Sequence, residues 1–476
     1  DRRQRQMCIR DSPHSQAVKN LKNKPENVIM TEGDPKKIIF RFAQPLIFAN
    51  LFQQLYNTMD TIIVGKINGD EALAAVGVSF AVTMVMIAVA TGTGIGTSVL
   101  IAKYCGAGNK SKVKTGISTV LIFSLMVAAL IAVLGVVLSM PLLRLLKTPQ
   151  NIINDAANYL RIYSLGMPFM FLYNVQASVF SALGNSKTPF HLLVMSSLLN
   201  IGLDLLFVGG FSMGVSGAAW ATFIAQGVSA VISFLLLTDK VYIKDHERAE
   251  FSFFSGAVLK EMSSYAAVSV IQQSVVSVGM LIVQSAVNPF GSDVLAGYTA
   301  ASKIDSFAIM PFIACGNAVS TYTAQNLGAG KKERIREGYK ASVLLCAGIA
   351  VIEFAVIMLL RRRFLGFFMD LSSSSASAIE TGMGYMTDLA FCYIIMGINS
   401  SFNGMLRGLG CLKLFLSGSI INLTFRIIFT YALVSVIGVS AVWLSMPAGW
   451  VLSFIYGRVG YRIMCKKKDS AGISDI

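Results

Sequence analysis

Charge is what this sequence has little of. Only 14% of its 476 residues are Asp, Glu, Lys or Arg, and 54% are hydrophobic; a soluble globular domain carries about 25% charged residues. Such a composition cannot clothe a surface facing water, which excludes a soluble fold. Histidine is nearly absent: His14, His191 and His246 stand alone, so no metal-ligand cluster can be drawn. The seven cysteines (Cys8, Cys105, Cys315, Cys346, Cys392, Cys411 and Cys465) contain no CxxC pair and read as free thiols. Gly92-Thr93-Gly94-Ile95-Gly96 has no preceding strand and sits inside an apolar run. Close helix packing, not phosphate binding, suits it. The net charge of +15 falls mainly in short loops without interleaved aromatics, so nucleic acid is not an expected partner. With no His/Asp/Glu cluster and no nucleophile–base pair, no enzyme activity is expected.

What is present is a series of about twelve apolar stretches long enough to cross a ~30 Å hydrocarbon core as helices. They fall near 36–65, 71–102, 113–143, 153–182, 189–210, 215–238, 255–288, 293–326, 337–361, 377–406, 413–436 and 439–464. Lys103, Lys110, Lys112 and Lys114 lie between the second and third; Lys331, Lys332, Arg334, Arg336 and Lys340 between the eighth and ninth; Lys240, Lys244, Arg248 and Lys260 around the middle; Lys466-Lys467-Lys468 at the end. Loops after spans 5, 7 and 11 carry no Lys or Arg. Positive loops stay in the cytoplasm, which places both termini there and the chain in the cell inner or plasma membrane as a multi-pass protein. Arg361-Arg362-Arg363, and Arg144 with Lys147, run against the pattern and are expected at span ends. The first residues lack an apolar signal segment and read as translated adapter sequence, with Met30 a more natural start.

The chain repeats itself. Gly106-Ala107-Gly108-Asn109-Lys110 recurs as Gly328-Ala329-Gly330-Lys331-Lys332, and Leu73-Ala74 as Leu295-Ala296. Leu183-Gly184 and Lys187 match Leu409-Gly410 and Lys413, and Gly214-Val215-Ser216 matches Gly438-Val439-Ser440. The offsets stay within 222–226 residues. Six spans per copy gives two lobes of the same topology, related by an axis along the membrane normal. The expected organisation is an extension over 1–29, disordered and partly non-native; a first lobe over 30–239; a polar linker over 240–254; a second lobe over 255–465; and a cytoplasmic tail over 466–476. Two lobes that rock around a central cavity give alternating access, the logic of a transporter rather than of a channel or receptor.

Within the apolar spans a few polar groups stand out, each costly in hydrocarbon. Asp204 lies in Leu203-Asp204-Leu205-Leu206, with Asn200 one turn earlier on the same face. In span 1, Gln53, Asn57 and Asp60 recur at intervals of four and three and form one stripe. At 1.5 Å per residue, Asp60 is roughly 28 Å past Arg41 and Asp204 roughly 25 Å past Lys187; Thr222 is roughly 12 Å past Gly214. All three reach the outer half of the first lobe. Gapless offsets place Ile282 opposite Asp60, Thr430 opposite Asp204 and Arg426 opposite Asn200. The acids therefore belong to the first lobe, while Lys303, Asp305, Arg407 and Arg426 give the second a mixed but more basic character.

These residues resemble those of multidrug and toxic compound extrusion (MATE) transporters of the bacterial DinF-like branch. The resemblance is carried by Met30-Thr31-Glu32-Gly33-Asp34-Pro35, by Gln53-Gln54-Leu55-Tyr56-Asn57 through Asp60, and by Ala72 to Gly77. Gly106 to Asn109, Leu183 to Pro189 and Gln325 to Gly330 extend it. It implies an all-α membrane fold of two six-helix lobes. It also implies efflux of organic, often cationic compounds driven by Na+ or H+, with no further cofactor. By motif, Asp60, Asn174, Asn200, Asp204 and Thr222 correspond to a cation or proton coupling site, with Na+ a candidate at Asp204, Asn200 and Thr222. Gln53, Tyr56, Asn57 and Arg426 are the candidate lining of the substrate cavity. Some members use a Glu of span 7, but Ile271-Gln272-Gln273-Ser274 holds no acid, which favours the first lobe. The expected partners are the bilayer and small organic substrates, and the chain is expected to work as a monomer. The alternative on the same fold is a flippase for a lipid-linked precursor.

Overall fold

The computed structural model describes residues 28, 30–243, 250–369 and 375–470. The extension apart from Val28, Lys244 and Arg248 of the linker, and residues 471–476 lie outside the described residues.

Helices account for almost all of the described chain. The first, α1 (Pro35–Gly106), is two arms joined at Gly69, whose φ of 81° breaks the helical path; only glycine holds that conformation without strain. Then follow α2 (Lys110–Leu145), α3 (Ile153–Leu165), α4 (Met167–Ala182), α5 (Lys187–Asp204) and α6 (Gly214–Thr238). The second half contains α7 (Gly256–Ser285), α8 (Ser292–Ala308), α9 (Met310–Gly328), α10 (Lys332–Leu365), α11 (Ala376–Gly408), α12 (Leu412–Ile437) and α13 (Ser440–Ser470). Pro168 and Pro311 open α4 and α9 at positions where a missing N–H does no harm. Each of these helices continues its predecessor, so α3–α4 and α8–α9 are single broken passages.

Eight helical segments among the described residues are long and apolar enough to cross a membrane by length and composition. The other passages are the first arm of α1, α3–α4, α7 and α13. The expected spans are recovered, six in each half. Large apolar side chains such as Leu145, Val436 and Leu359 stand exposed on the outer faces, which suits hydrocarbon and not water. Arg144 and Arg362-Arg363, which run against the loop-charge pattern, occupy the last turns of α2 and α10, the span ends expected for them.

The halves meet along α1, α7 and α9. In α1, Gly92 and Gly96 face the backbone of Val270 and Ala266 on α7, while Gly94 faces Asn174 on α4. The spacing Gly-x-x-x-Gly lets backbones touch, so the glycine run packs helices as expected. At the end where α1 begins, a Cβ on Gly106 would strike the Gln325 carbonyl, and one on Gly328 would strike the Lys103 carbonyl. Gly106 and Gly328 are repeat equivalents, and so are Lys103 and Gln325. Equivalent residues thus meet each other reciprocally across a pseudo-twofold axis.

That end is closed further by a strap ahead of α1. The Val28 N–H donates to the Gly184 carbonyl at 2.8 Å. Buried Met30 accepts from Asn326 Nδ2 (3.0 Å) and Arg334 Nη2 (3.4 Å), Thr31 O from Lys331 Nζ (2.9 Å), and Gly33 O from Arg334 Nη1 (3.0 Å). Gln325 Nε2 donates across the seam to the Ala182 carbonyl at 2.7 Å.

Candidate functional site

A cavity of about 820 Å³ runs between the halves and into the first. The α1 polar stripe forms one wall because its intervals of four and three keep Gln53, Asn57 and Asp60 on one face. All three line the cavity, as do Tyr56, Asn174, Asn200 and Thr222.

Asp204 lies behind this wall, fully buried at 0% exposure. It is the last residue of α5, and a π-helical turn, Leu205–Gly210, follows at once. Such turns widen the helix and recur at functional sites. The carboxyl groups of Asp60 and Asp204 are neighbours. One oxygen of each, Asp60 Oδ1 and Asp204 Oδ1, is buried without a hydrogen-bond partner among the described residues.

Asn200 and Thr222 complete the cluster. As placed, Asn200 Nδ2 donates to Thr222 Oγ1 at 3.3 Å. The reversed amide fits better. Its nitrogen then donates to Asp204 Oδ2 at 2.8 Å and its oxygen accepts from the Thr222 backbone N–H at 3.0 Å. The Tyr56 hydroxyl reaches Thr222 Oγ1 at 3.5 Å, tying the first arm of α1 to α6. Asn174 stands on the cavity wall, with Nδ2 donating to the Met170 carbonyl at 2.8 Å. Tyr159 and Tyr163 stack at 5.9 Å between centroids beside Asp60. Their place in the site was not legible, because a tyrosine on an apolar helix reads like any packing residue.

The second half presents a different surface. Lys303 of α8 and Arg407 of α11 line the cavity, with Asn317 and Ser320. Arg407 is held by Nε to Ser320 Oγ (3.1 Å) and Nη2 to Asn317 Oδ1 (2.8 Å). Arg426, expected on the cavity wall, is not there. It packs against Gly449 of α13, which has no side chain to hold it off, and Nε and Nη2 are buried without partners among the described residues. Its long stem turns into the helix seam of the second half instead of toward the centre.

Inside that half lies another buried acid. Asp305 accepts from the Tyr393 hydroxyl at 2.8 Å and the Tyr385 hydroxyl at 3.3 Å. Asp388 of α11 accepts from Trp443 Nε1 at 2.8 Å. Asp305 and Asp388 do not line the cavity.

The family model described as MatE matches the chain twice, over residues 45–206 and 269–432. The chain belongs to the MATE family. The two matches restate the internal duplication and cover more than half of the sequence. The probable multidrug resistance protein YpnP of Bacillus subtilis (strain 168) is 28% identical over 441 residues, covering 90% of this chain and 96% of that protein. DNA damage-inducible protein F of Escherichia coli (strain K12) is 24% identical over 70% of this chain and 72% of its own. Among solved structures, a MATE protein crystallised with MaL6 superposes with a TM-score of 0.84 at 26% identity, covering 93% of this chain and 99% of that one. A MOP superfamily transporter from Pyrococcus furiosus, described by the reversed polarity of its binding pocket, superposes at 0.83 with the same identity and coverage. As a MATE protein the chain is a multi-pass membrane transporter of the multidrug efflux family, a transporter family rather than an enzyme family.

Proposed function

We propose that this MATE protein is a cation-coupled antiporter that exports organic, positively charged compounds by alternating access. The coupling cluster is Asp60, Asn174, Asn200, Asp204 and Thr222, and the ion is Na+ or H+. One observation carries the reading: two neighbouring carboxyl groups each leave a buried oxygen without a partner among the described residues. Two carboxylates cannot both stay charged and unpaired in a low-dielectric interior. A proton shared between them, or Na+ held by their oxygens with the neutral donors Asn200 and Thr222, resolves the conflict. All of these ligands are hard oxygen donors, which suit Na+.

Both termini face the cytoplasm in this reading, so the closed end is cytoplasmic and the cavity serves the outer side. Cation entry neutralises the acids and releases cargo held on the α1 stripe. The first arm of α1 then repacks, the strap and the glycine joint part, and the cavity faces inward. Deprotonation or ion loss recharges the acids for the next cargo. A tenfold gradient of one monovalent ion provides about 1.4 kcal/mol. Exchange of one monovalent ion for one monovalent cargo is electroneutral, so the membrane potential adds nothing to it.

Dye efflux in inverted vesicles with imposed Na+ or H+ gradients tests the assignment. Wild type responds to one of the two gradients, and Asp60→Asn and Asp204→Asn lose that response. Undiminished gradient-driven efflux in both variants would sink it.

A further inference from the structure

The acid cluster of the first half has a counterpart of opposite sign. Asn200 and Asp204 lie one turn apart on α5, and their repeat equivalents, 226 residues on, are Arg426 and Thr430 of α12. In the first half the buried atoms without a partner are acceptors, Asp60 Oδ1 and Asp204 Oδ1. In the second they are donors: Arg426 Nε and Nη2, with the Thr430 hydroxyl one turn further on the same face, all without partners among the described residues.

A guanidinium stays charged at any pH a cell meets, and a charge held in a low-dielectric interior needs a partner. Arg426 is 8% exposed and Thr430 0%. Neither is among the residues that line the central cavity, so bulk water does not serve them. Asp305 is the acid whose charge Arg426 feels, but its two oxygens accept from Tyr385 and Tyr393. It makes no ion pair with Arg426. A water molecule could take up the N–H groups, yet it would leave the charge standing.

The geometry of the donors is that of an anion grip. Nε–H and Nη2–H project from one edge of the planar guanidinium, the edge that holds an anion at two points. The stem is fixed from behind, since a Cβ on Gly449 of α13 would stand 2.8 Å from Arg426 Cγ. Enclosure excludes a bulky organic anion and leaves a monatomic one.

We propose that the seam between α12 and α13 holds a resident halide, chloride in ordinary salt, on Arg426 Nε and Nη2 and the Thr430 hydroxyl. Set off from the cavity wall, this ion is a fixed countercharge of the second half and not cargo. The proposal goes beyond the antiporter reading and does not depend on it.

Thermal unfolding of the full chain in detergent, in sodium chloride against sodium gluconate at equal concentration, tests the site with Na+ held constant. Gluconate is too large to enter. Wild type should unfold at a higher temperature in chloride, by a further constant step for each tenfold rise above the dissociation constant. Arg426→Met should fold and lose this difference, because an apolar side chain needs no countercharge. Thr430→Asp places a carboxylate one turn from Arg426. It should unfold at the same temperature in either salt, above wild type in gluconate. Crystals grown in bromide should show an anomalous peak beside Arg426 Nε and Nη2. Equal stability of wild type in both salts, a chloride shift that survives in Arg426→Met, or no anomalous peak at Arg426 would overturn the proposal. Gradient-driven dye efflux is not read in any of these measurements, so their failure leaves antiport intact.

Discussion

The two halves of this transporter are alike at the joint and opposite at the centre. At the closed end, Gly106 and Gly328 make the same contact with each other's half, so backbone geometry is copied faithfully. At the centre the copy fails in chemistry. Where the first half holds Asp204 and Asn200, the second holds Thr430 and Arg426. In the first half Asp60 lines the cavity with Asp204 behind it, whereas the second half's Asp305 is enclosed by Tyr385 and Tyr393. A duplicated scaffold needs symmetry only where its halves slide against each other. Its interior positions are free to differ: an acid pair at the cavity in one half, a tyrosine-enclosed acid in the other.

The strongest way to break this comparison is to remove the acid that only one half possesses. Asp204→Asn should lower gradient-driven efflux by about 5- to 150-fold, the range of ordinary coupling free energies, while binding of dye in detergent persists. Thr430→Asp, measured in the same vesicles, should not restore it, because the second half lacks the partner acid. Next in size, Asp305→Ala leaves two buried tyrosine hydroxyls without their partner. It should cost about 2–4 kcal/mol in thermal unfolding, with the gradient response per folded molecule within about twofold of wild type, as expected of a site outside the cavity. Gly328→Ala probes what the halves share. Overpacking at the joint should destabilise the closed end by about 1–3 kcal/mol, read as faster thiol labelling of a cysteine placed at Ser320. The smallest effect belongs to Thr222→Val, which removes the hydroxyl that meets Tyr56. A loss of about 1 kcal/mol, roughly fivefold in apparent affinity for the coupling ion, should follow from ion-titrated transport.

Much of this was legible in one dimension. Hydrophobic length fixed the spans to within a few residues, because hydrocarbon imposes both length and apolarity. Rise per residue was enough to bring Asp60, Asp204 and Thr222 to a common depth. Periodicity, however, orders side chains around their own helix and says nothing about which neighbour they meet. Arg426 shared a repeat position with Asn200, yet its long stem follows the gap left by Gly449 into another seam. Asp305 could be named as an acid in a span, but the two tyrosines that enclose it come from α11, some eighty residues away. The strap escaped notice because no pattern of hydrophobicity marks a segment that binds through its main chain.

That last point has a consequence of its own. The strap's contacts run through Val28 N–H and the carbonyls of Met30, Thr31 and Gly33. Every residue type offers that carbonyl and all but proline that N–H, so most substitutions here leave the bolt intact. Length is another matter. One residue inserted or deleted between Val28 and Asp34 moves the carbonyls out of reach of Lys331, Asn326 and Arg334. Tolerant of spelling and intolerant of spacing, this short stretch acts as a ruler that sets where the two halves come to rest.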